Sequence, residues 1–320
     1  MSGKPVEDES DAYATTEVAW EGHGLRGASS EAPLETVPRL VADTYEVQAR
    51  LGSGGMGEVY AVVHRTLRAE LALKVLRPEH RGDPSILARF RAEGRALWEL
   101  EHPGFVRVHH AGDDRAVGPY LVLERLAGRS LADVLVAVGR LTPNDAIRVA
   151  IAVAEAAHAM HERGMIHRDL KPSNVFLTRG EGGARGVKLL DLGAAKIPKY
   201  GDPSTAPGHA LGTLRYMSPE QLRAEPVGPA ADVYALGHVL FEAVAGRHAF
   251  GADRDEPTRP AQIVAWHRGP PPPRLDALVP SVPPALAALV ASALAPEPSQ
   301  RPASMAIVAA RLAALLGRTT

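Results

Sequence analysis

His167-Arg168-Asp169-Leu170-Lys171-Pro172-Ser173-Asn174 sets a carboxylate, an ammonium and a carboxamide within one short loop. Asp169 can orient a hydroxyl and accept its proton. Lys171 can neutralise an anionic group held beside it, and Asn174 offers an oxygen to a hard cation. One loop of this kind can arise by accident, so its meaning depends on what stands before and after it.

Upstream lies Gly52-Ser53-Gly54-Gly55-Met56-Gly57-Glu58-Val59, followed by Leu71-Ala72-Leu73-Lys74; downstream come Asp191-Leu192-Gly193 and Met217-Ser218-Pro219-Glu220. Glycines 52, 54 and 57 allow a backbone to close over phosphates where a Cβ would obstruct. The same spacing occurs in ordinary hairpin turns and in dinucleotide folds. Here the next segment, Val59 to Val63, reads as a strand rather than a helix, which argues against the dinucleotide case. Lys74 stands in an apolar strand, where an ammonium needs an anion to offset its desolvation. Only six of the 36 basic residues are lysine, and two of the six, Lys74 and Lys171, occupy these positions. In so arginine-rich a chain, lysine marks places where a compact ammonium is wanted.

In content and order these segments resemble the eukaryotic-type protein kinases over roughly residues 43 to 316, and Lys171 two residues after Asp169 resembles the serine/threonine branch. "GSGGMGEVY" is similar to bacterial members. The resemblance implies an α+β, two-lobed fold: a small antiparallel-sheet lobe with one helix over about 43–123, a hinge over about 124–128, and a larger, mainly helical lobe over about 129–316. It implies ATP and Mg²⁺, with the γ-phosphoryl passing to serine or threonine hydroxyls of protein substrates. Catalysis would fall to Asp169, Lys171, Lys74 and Glu93, although Glu99 and Glu101 lie on the same stretch as Glu93. Leu51, Gly52, Ser53, Gly54, Gly55, Met56, Gly57 and Val59 would cover the nucleotide, and Ala72 and Phe176 would sandwich adenine. Leu123 would stand at the back of the pocket. The backbone of Glu124 and Leu126 would bond the adenine edge, so side-chain identity there should matter little.

By the same resemblance Asp191 and Asn174 would hold the metal. Leu192 stands where the pattern has Phe, a change that bears on switching rather than on metal ligation. Asp232 would anchor the catalytic loop from below and Arg301 would pair with Glu220. Arg168 would want an anion, which a phosphate on Thr205, or alternatively Ser204, would supply after transfer in trans within a transient homodimer. The alternative is a pseudokinase scaffold, which would be expected to lack Lys74, Asp169 or Asp191; all three are present.

Composition agrees with a folded catalytic unit. At 320 residues and 45% hydrophobic content the chain can bury a large core. Residues 1–40 carry eight acidic and three basic side chains, net −5 of a total −1, which leaves +4 for the rest and gives no reason to expect nucleic acid. Lacking apolar periodicity, residues 1–42 read as a disordered acidic tail, and 317–320 as a short one. With no cysteine, disulfides and thiolate metal sites are excluded and a reducing compartment, the cytoplasm, is expected. The longest apolar stretch, Met305 to Leu316, includes Arg311 and is shorter than the roughly 20 residues of a membrane span, so a soluble chain is expected, or the soluble part of an anchored one. Helices are expected from Ser85 to Leu100, from Pro143 to about His161 behind a Thr142 cap, and from Ala230 to Val244 before Gly246. The proline-rich stretch Gly269 to Pro284 reads as a surface connection, and His158 and His161 share a helical face without a carboxylate to complete a zinc site.

Overall fold

The computed structural model describes residues 37–54, 56–179, 185–192, 214–250 and 260–317. Gly55, Gly193, Ser204, Thr205 and residues 1–36 therefore lie outside the described residues.

The first lobe is a six-stranded antiparallel sheet in the order β1-β2-β3-β4-β6-β5. Its strands are β1 (Leu40–Val41), β2 (Tyr45–Ser53), β3 (Gly57–His64), β4 (Glu70–Leu76), β5 (Val108–Asp114) and β6 (Gly118–Glu124). Strand period 2 divides the side chains of β4 between two cores. Leu71, Leu73 and Val75 join a satellite cluster with Val47, Val62 and Val122, while Ala72 and Leu76 face the main core.

Helix α1 (Pro84–Glu99) covers that second face. Asp83 caps it by accepting from the N–H groups of Ser85 (2.8 Å) and Ile86 (3.3 Å), with Pro84 at the first helical position. Its buried stripe, Ile86, Phe90, Glu93, Gly94 and Leu97, follows the helical period, so Glu93 is carried inward with the apolar residues. A Cβ on Gly94 would lie 2.6 Å from a Leu121 methyl, so the Leu121 side chain of β6 packs directly against the α1 backbone at this glycine.

The composition-based boundary of the tail requires correction. Residues 37–42 are tied to the small lobe: Leu40 and Val41 pair with Glu46 and Tyr45, Val37 and Val41 are buried, and the Ala42 N–H donates to Asp114 at 3.0 Å. Three apolar residues at the end of an acidic stretch are diluted in any average taken over 1–42.

Beyond the hinge, β7 (Gly128–Ser130), β8 (Val175–Arg179) and β9 (Arg185–Leu189) form a small sheet beside helices α2 (Leu131–Val138) and α3 (Pro143–His161). The expected Thr142 cap is present, its hydroxyl accepting from the Asp145 N–H at 3.2 Å. Short α4 (Pro219–Leu222) precedes α5 (Ala230–Ala245), which is buried without interruption from Ala231 to Val244 and ends at Gly246 in the left-handed conformation, φ 72°. A helix buried all round belongs at the centre of a lobe; α3 and α8 (Pro284–Ala293) pack on it, and α9 (Met305–Leu316) packs on α3 and α8. Between them run α6 (Pro260–Arg268) and α7 (Leu275–Leu278). The proline-rich connection is exposed at Pro270 and Pro271 but is pinned by buried Leu275, Val279 and Val282.

Under α5 lies a buried group of rings. The Tyr234 hydroxyl bonds His267 Nδ1 at 2.6 Å, and His238 packs edgewise on Tyr234 and Tyr216 and tilted against Phe250. Burial pushes His267 down to about 4, and burial together with neighbouring His267 and His248 pushes His238 well below the usual imidazole range. Both rings are neutral in the fold but take up protons in the unfolded chain near pH 6.5. Their contribution is therefore complete above pH 6.5 and is lost as pH falls toward 4. Chemical denaturation at pH 7 and pH 5 should show a loss of roughly 2 kcal/mol from His267 alone, since one pKa unit corresponds to about 1.4 kcal/mol. His238→Phe, which keeps a ring in place, should flatten the dependence.

Candidate active site

Lys74 sits mid-strand on β4, opposite Val59 on β3 and Leu121 on β6, with 8% of its surface exposed. Its Nζ lies 2.7 Å from Glu93 Oε1 and 2.6 Å from Asp191 Oδ1. Burial works against the charge, but the carboxylates of Asp191 and Glu93 outweigh it and raise the pKa, so Lys74 is protonated. Glu93, the glutamate the resemblance implies, makes the contact, while Glu99 and Glu101 on the same stretch are exposed.

Asp191 comes from the other lobe, just after β9, and takes a positive φ of 50°, uncommon for a residue other than glycine. Its carboxylate is about half exposed, whereas the next residue, Leu192, is buried in the core cluster that includes Phe90 and Leu97 of α1. The Leu190 N–H donates to the Asn174 carbonyl at 2.8 Å, joining the Asp191 segment to the catalytic loop.

In that loop Lys171 Nζ reaches both Asp169 carboxylate oxygens, at 3.0 and 3.1 Å. Asn174 donates its amide nitrogen to the Asp169 carbonyl (2.7 Å) and carboxylate (3.1 Å), which turns its own oxygen to other use. The loop hangs on Asp232, fully buried in the first turn of α5. Asp232 accepts from the N–H groups of His167 (2.8 Å) and Arg168 (2.9 Å), and His161 Nε2 bonds it at 2.7 Å. Gln221 donates to the Arg168 carbonyl at 2.9 Å, and Arg168 has φ 64°. Arg168 Nε is buried with no hydrogen-bond partner among the described residues. His161, weighed in the sequence only as a metal ligand, is instead the third partner of Asp232, and His158 faces Glu162.

Below the loop Arg301 forms a two-pronged pair with Glu220, 2.7 and 2.9 Å, and also donates to the carbonyls of Ala230, Ala295 and Pro296. Burial raises the pKa of Glu220, but the bonds from Arg301 outweigh it and hold the carboxyl below its usual range.

The glycine-rich hairpin divides by purpose. A Cβ on Gly57 would lie 2.4 Å from the Val75 carbonyl, so this glycine is required by the packing of β3 on β4. A Cβ on Gly52 would meet nothing within 4 Å, and one on Gly54 only the Gly57 carbonyl at 4.0 Å. The Gly54 N–H closes the turn onto the Gly57 carbonyl at 2.8 Å. Leu51, half exposed, and Val59 stand on this hairpin, Ser53 is exposed, and Met56 is partly buried against the main core. Ala72 lies on β4, Phe176 on β8, and Glu124 and Leu126 lead from the sheet into the hinge.

One expectation fails here. The side chain of Glu124 is not indifferent: its Oε1 accepts from Lys188 Nζ at 2.6 Å and from the Arg107 N–H at 2.7 Å. Lys188 and Glu124 lie 64 residues apart, and no local pattern announces such a pair. The one available signal was that Lys188 is another of the six lysines.

Asn174 and Asp191 offer oxygen donors, which suit a hard cation such as Mg²⁺. Among the described residues no group of three or more His, Cys, Asp or Glu gathers to hold a metal. Two protein donors fit an ion that takes its remaining ligands from phosphates and water.

A protein kinase domain model matches residues 45–312. Over 240 residues the chain is 36% identical to the probable serine/threonine-protein kinase PknB of Corynebacterium glutamicum, covering 71% of this chain and 36% of that protein. Over 264 residues it is 37% identical to the serine/threonine-protein kinase PknA of Mycobacterium tuberculosis, covering 80% and 58%. The match thus spans about a third to three fifths of the length of these relatives. The crystal structure of the Mycobacterium tuberculosis PknI kinase domain superposes with a TM-score of 0.65 at 28% identity, covering 88% of this chain and 99% of that one. With the family match spanning nearly all of both lobes, the chain belongs to the protein kinase family, on the side of the bacterial serine/threonine kinases.

Proposed function

We propose that this chain is an ATP- and Mg²⁺-dependent protein kinase that phosphorylates serine and threonine side chains of proteins in the cytoplasm. The observation that carries the reading is the Lys74 ammonium, held between Glu93 of one lobe and Asp191 of the other, above a loop in which Asp169 and Lys171 are already paired.

In this reading Lys74 binds the phosphates of ATP, and Glu93 fixes its position. Gly52 and Gly54 leave room for the nucleotide's phosphates, and the hinge backbone at Glu124 and Leu126 takes the adenine edge between Ala72 and Phe176. Asp169 orients the acceptor hydroxyl and takes its proton as the oxygen attacks; Lys171 offsets charge on the transferring phosphoryl group. Asn174 and Asp191 would hold Mg²⁺, which supplies further charge neutralisation at the phosphates. Among the described residues no helix is long and apolar enough to cross a membrane.

Three outcomes test this reading. Asp169→Asn should retain ATP binding and lose phosphoryl transfer to a protein acceptor by a factor on the order of 10³ or more; near-normal labelling would overturn the assignment. The two kinds of glycine should separate. Gly57→Ala lowers thermal stability, whereas Gly52→Ala keeps it and weakens ATP binding; equal melting temperatures for the two variants would refute the division. The unpaired Arg168 Nε suits a phosphate supplied in trans by a second copy, on Thr205 with Ser204 as alternative. Mass spectrometry should find that phosphate in the wild type but not in Asp169→Asn, and the Ser204→Ala/Thr205→Ala double variant should lose activity.

A further inference from the structure

Three segments of the chain meet at the Lys188 ammonium. Its Nζ lies 2.6 Å from Glu124 Oε1 and 2.8 Å from the Phe105 carbonyl. The same Glu124 oxygen accepts the Arg107 N–H at 2.7 Å, and the Glu124 N–H donates to the Arg107 carbonyl at 2.9 Å. One residue along β9, the Leu189 N–H donates to the Gly104 carbonyl at 2.7 Å. The strand leading to Asp191, the first residue of the hinge, and the segment after α1 are thereby joined. Each leads within a short stretch to the machinery: three residues from Lys188 to Asp191, two from Glu124 to Leu126, and one short turn from Phe105 back to the helix bearing Glu93.

The knot lies partly out of solvent, with the Lys188 and Glu124 side chains 19% and 26% exposed. A charge-assisted bond there is worth more than an exposed ion pair, and breaking it leaves Glu124 facing backbone N–H alone. Lysine suits the place better than arginine. A compact ammonium suits one carboxylate oxygen and one carbonyl, where a planar fork would bring more donors than these acceptors take up.

We infer that Lys188 is a positioning residue which, through Glu124, fixes the angle between hinge and β9 and so sets the affinity of the cleft for nucleotide. The inference rests on the proposed reading of the hinge as the adenine-binding edge. If the knot loosens, the hinge backbone and Asp191 no longer present themselves together, and the cleft must be ordered by the nucleotide it binds. Lys74, Asp169 and Lys171, which act on the reacting groups, are untouched by Lys188. The loss therefore falls on binding rather than on turnover.

The experiment measures the Kd of Mg·ADP by calorimetry, and KM for ATP and kcat with myelin basic protein as acceptor, in wild type, Lys188→Met, Lys188→Arg, Glu124→Gln and the Lys188→Met/Glu124→Gln pair. Lys188→Met should raise both Kd and KM on the order of tenfold, as expected for one charge-assisted bond, with kcat changed by less than about twofold. Lys188→Arg should recover part of the loss, and Lys188→Met should cost less in the Glu124→Gln background than in the wild type. Should Lys188→Met fail to fold, near-isosteric Glu124→Gln carries the same expectation in Kd and KM. Unchanged nucleotide affinity in folded variants, additive effects in the pair, or a loss in kcat alone would overturn the inference while leaving the kinase reading in place. A wild-type protein that binds no Mg·ADP would overturn both.

Discussion

The site depends on one carboxylate placed where carboxylates are costly. Asp232 has no exposed surface and lies in a helix that is buried on every side. Its desolvation is offset because two backbone N–H groups of the catalytic loop and the His161 imidazole at the end of α3 donate to it. Helix and loop are therefore mutually dependent. Without the loop the helix would hold an unpaired buried charge, and without the carboxylate two buried N–H groups would lose their partner. Arg168, with its positive φ between those bonds and the one from Gln221, takes a backbone conformation that the surrounding contacts sustain. Asp169 follows it directly, so its position is inherited from the buried central helix of the larger lobe.

Each described lysine illustrates a second constraint. Lys74 lies against Glu93 and Asp191, Lys171 against Asp169, and Lys188 against Glu124, and none of the three is an exposed surface charge. Lys74 has two anions inside the fold, from opposite lobes. Phosphates entering the cleft would compete with Asp191 for that ammonium, while Glu93 on the buried stripe of α1 stays in place. On the proposed reading, Glu93 is the structural partner and Asp191 the one able to exchange.

Local chemistry was legible where it repeats or punctuates. The Thr142 cap, the run of α5 and its stop at Gly246 follow from capping, period and glycine conformation, each confined to a few residues. The motif residues Lys74, Asp169, Asn174 and Asp191 could be named because their order along the chain is itself a pattern. The choice of Glu93 over Glu99 and Glu101 came from the resemblance, and the helix phase supplies its physical reason. Three features escaped for physical reasons. The tail boundary was set by composition, which averages away Val37 and Val41. Gly57 shares a motif with Gly52 but answers to the Val75 carbonyl. The Lys188–Glu124 pair joins residues far apart in sequence through side chains whose types do not announce each other.

The placement of Lys74 shows how the apolar pattern enforces the chemistry. On β4, Leu71, Leu73 and Val75 fill the satellite core, and Ala72 and Leu76 belong to the main one. Because side chains alternate strictly, Lys74 is bound to the face shared by Ala72 and Leu76, the face that α1 covers. A slip of one residue against β3 and β6 would turn Lys74 into the satellite core and bring Leu73 and Val75 to the cleft. The slipped form would bury an ammonium among the valines, leucines and tyrosines of that cluster, and would deprive Glu93 of its partner. Burial of three apolar side chains and pairing of one ammonium thus select the same register, so the packing that stabilises the small lobe also aims its lysine at Asp191.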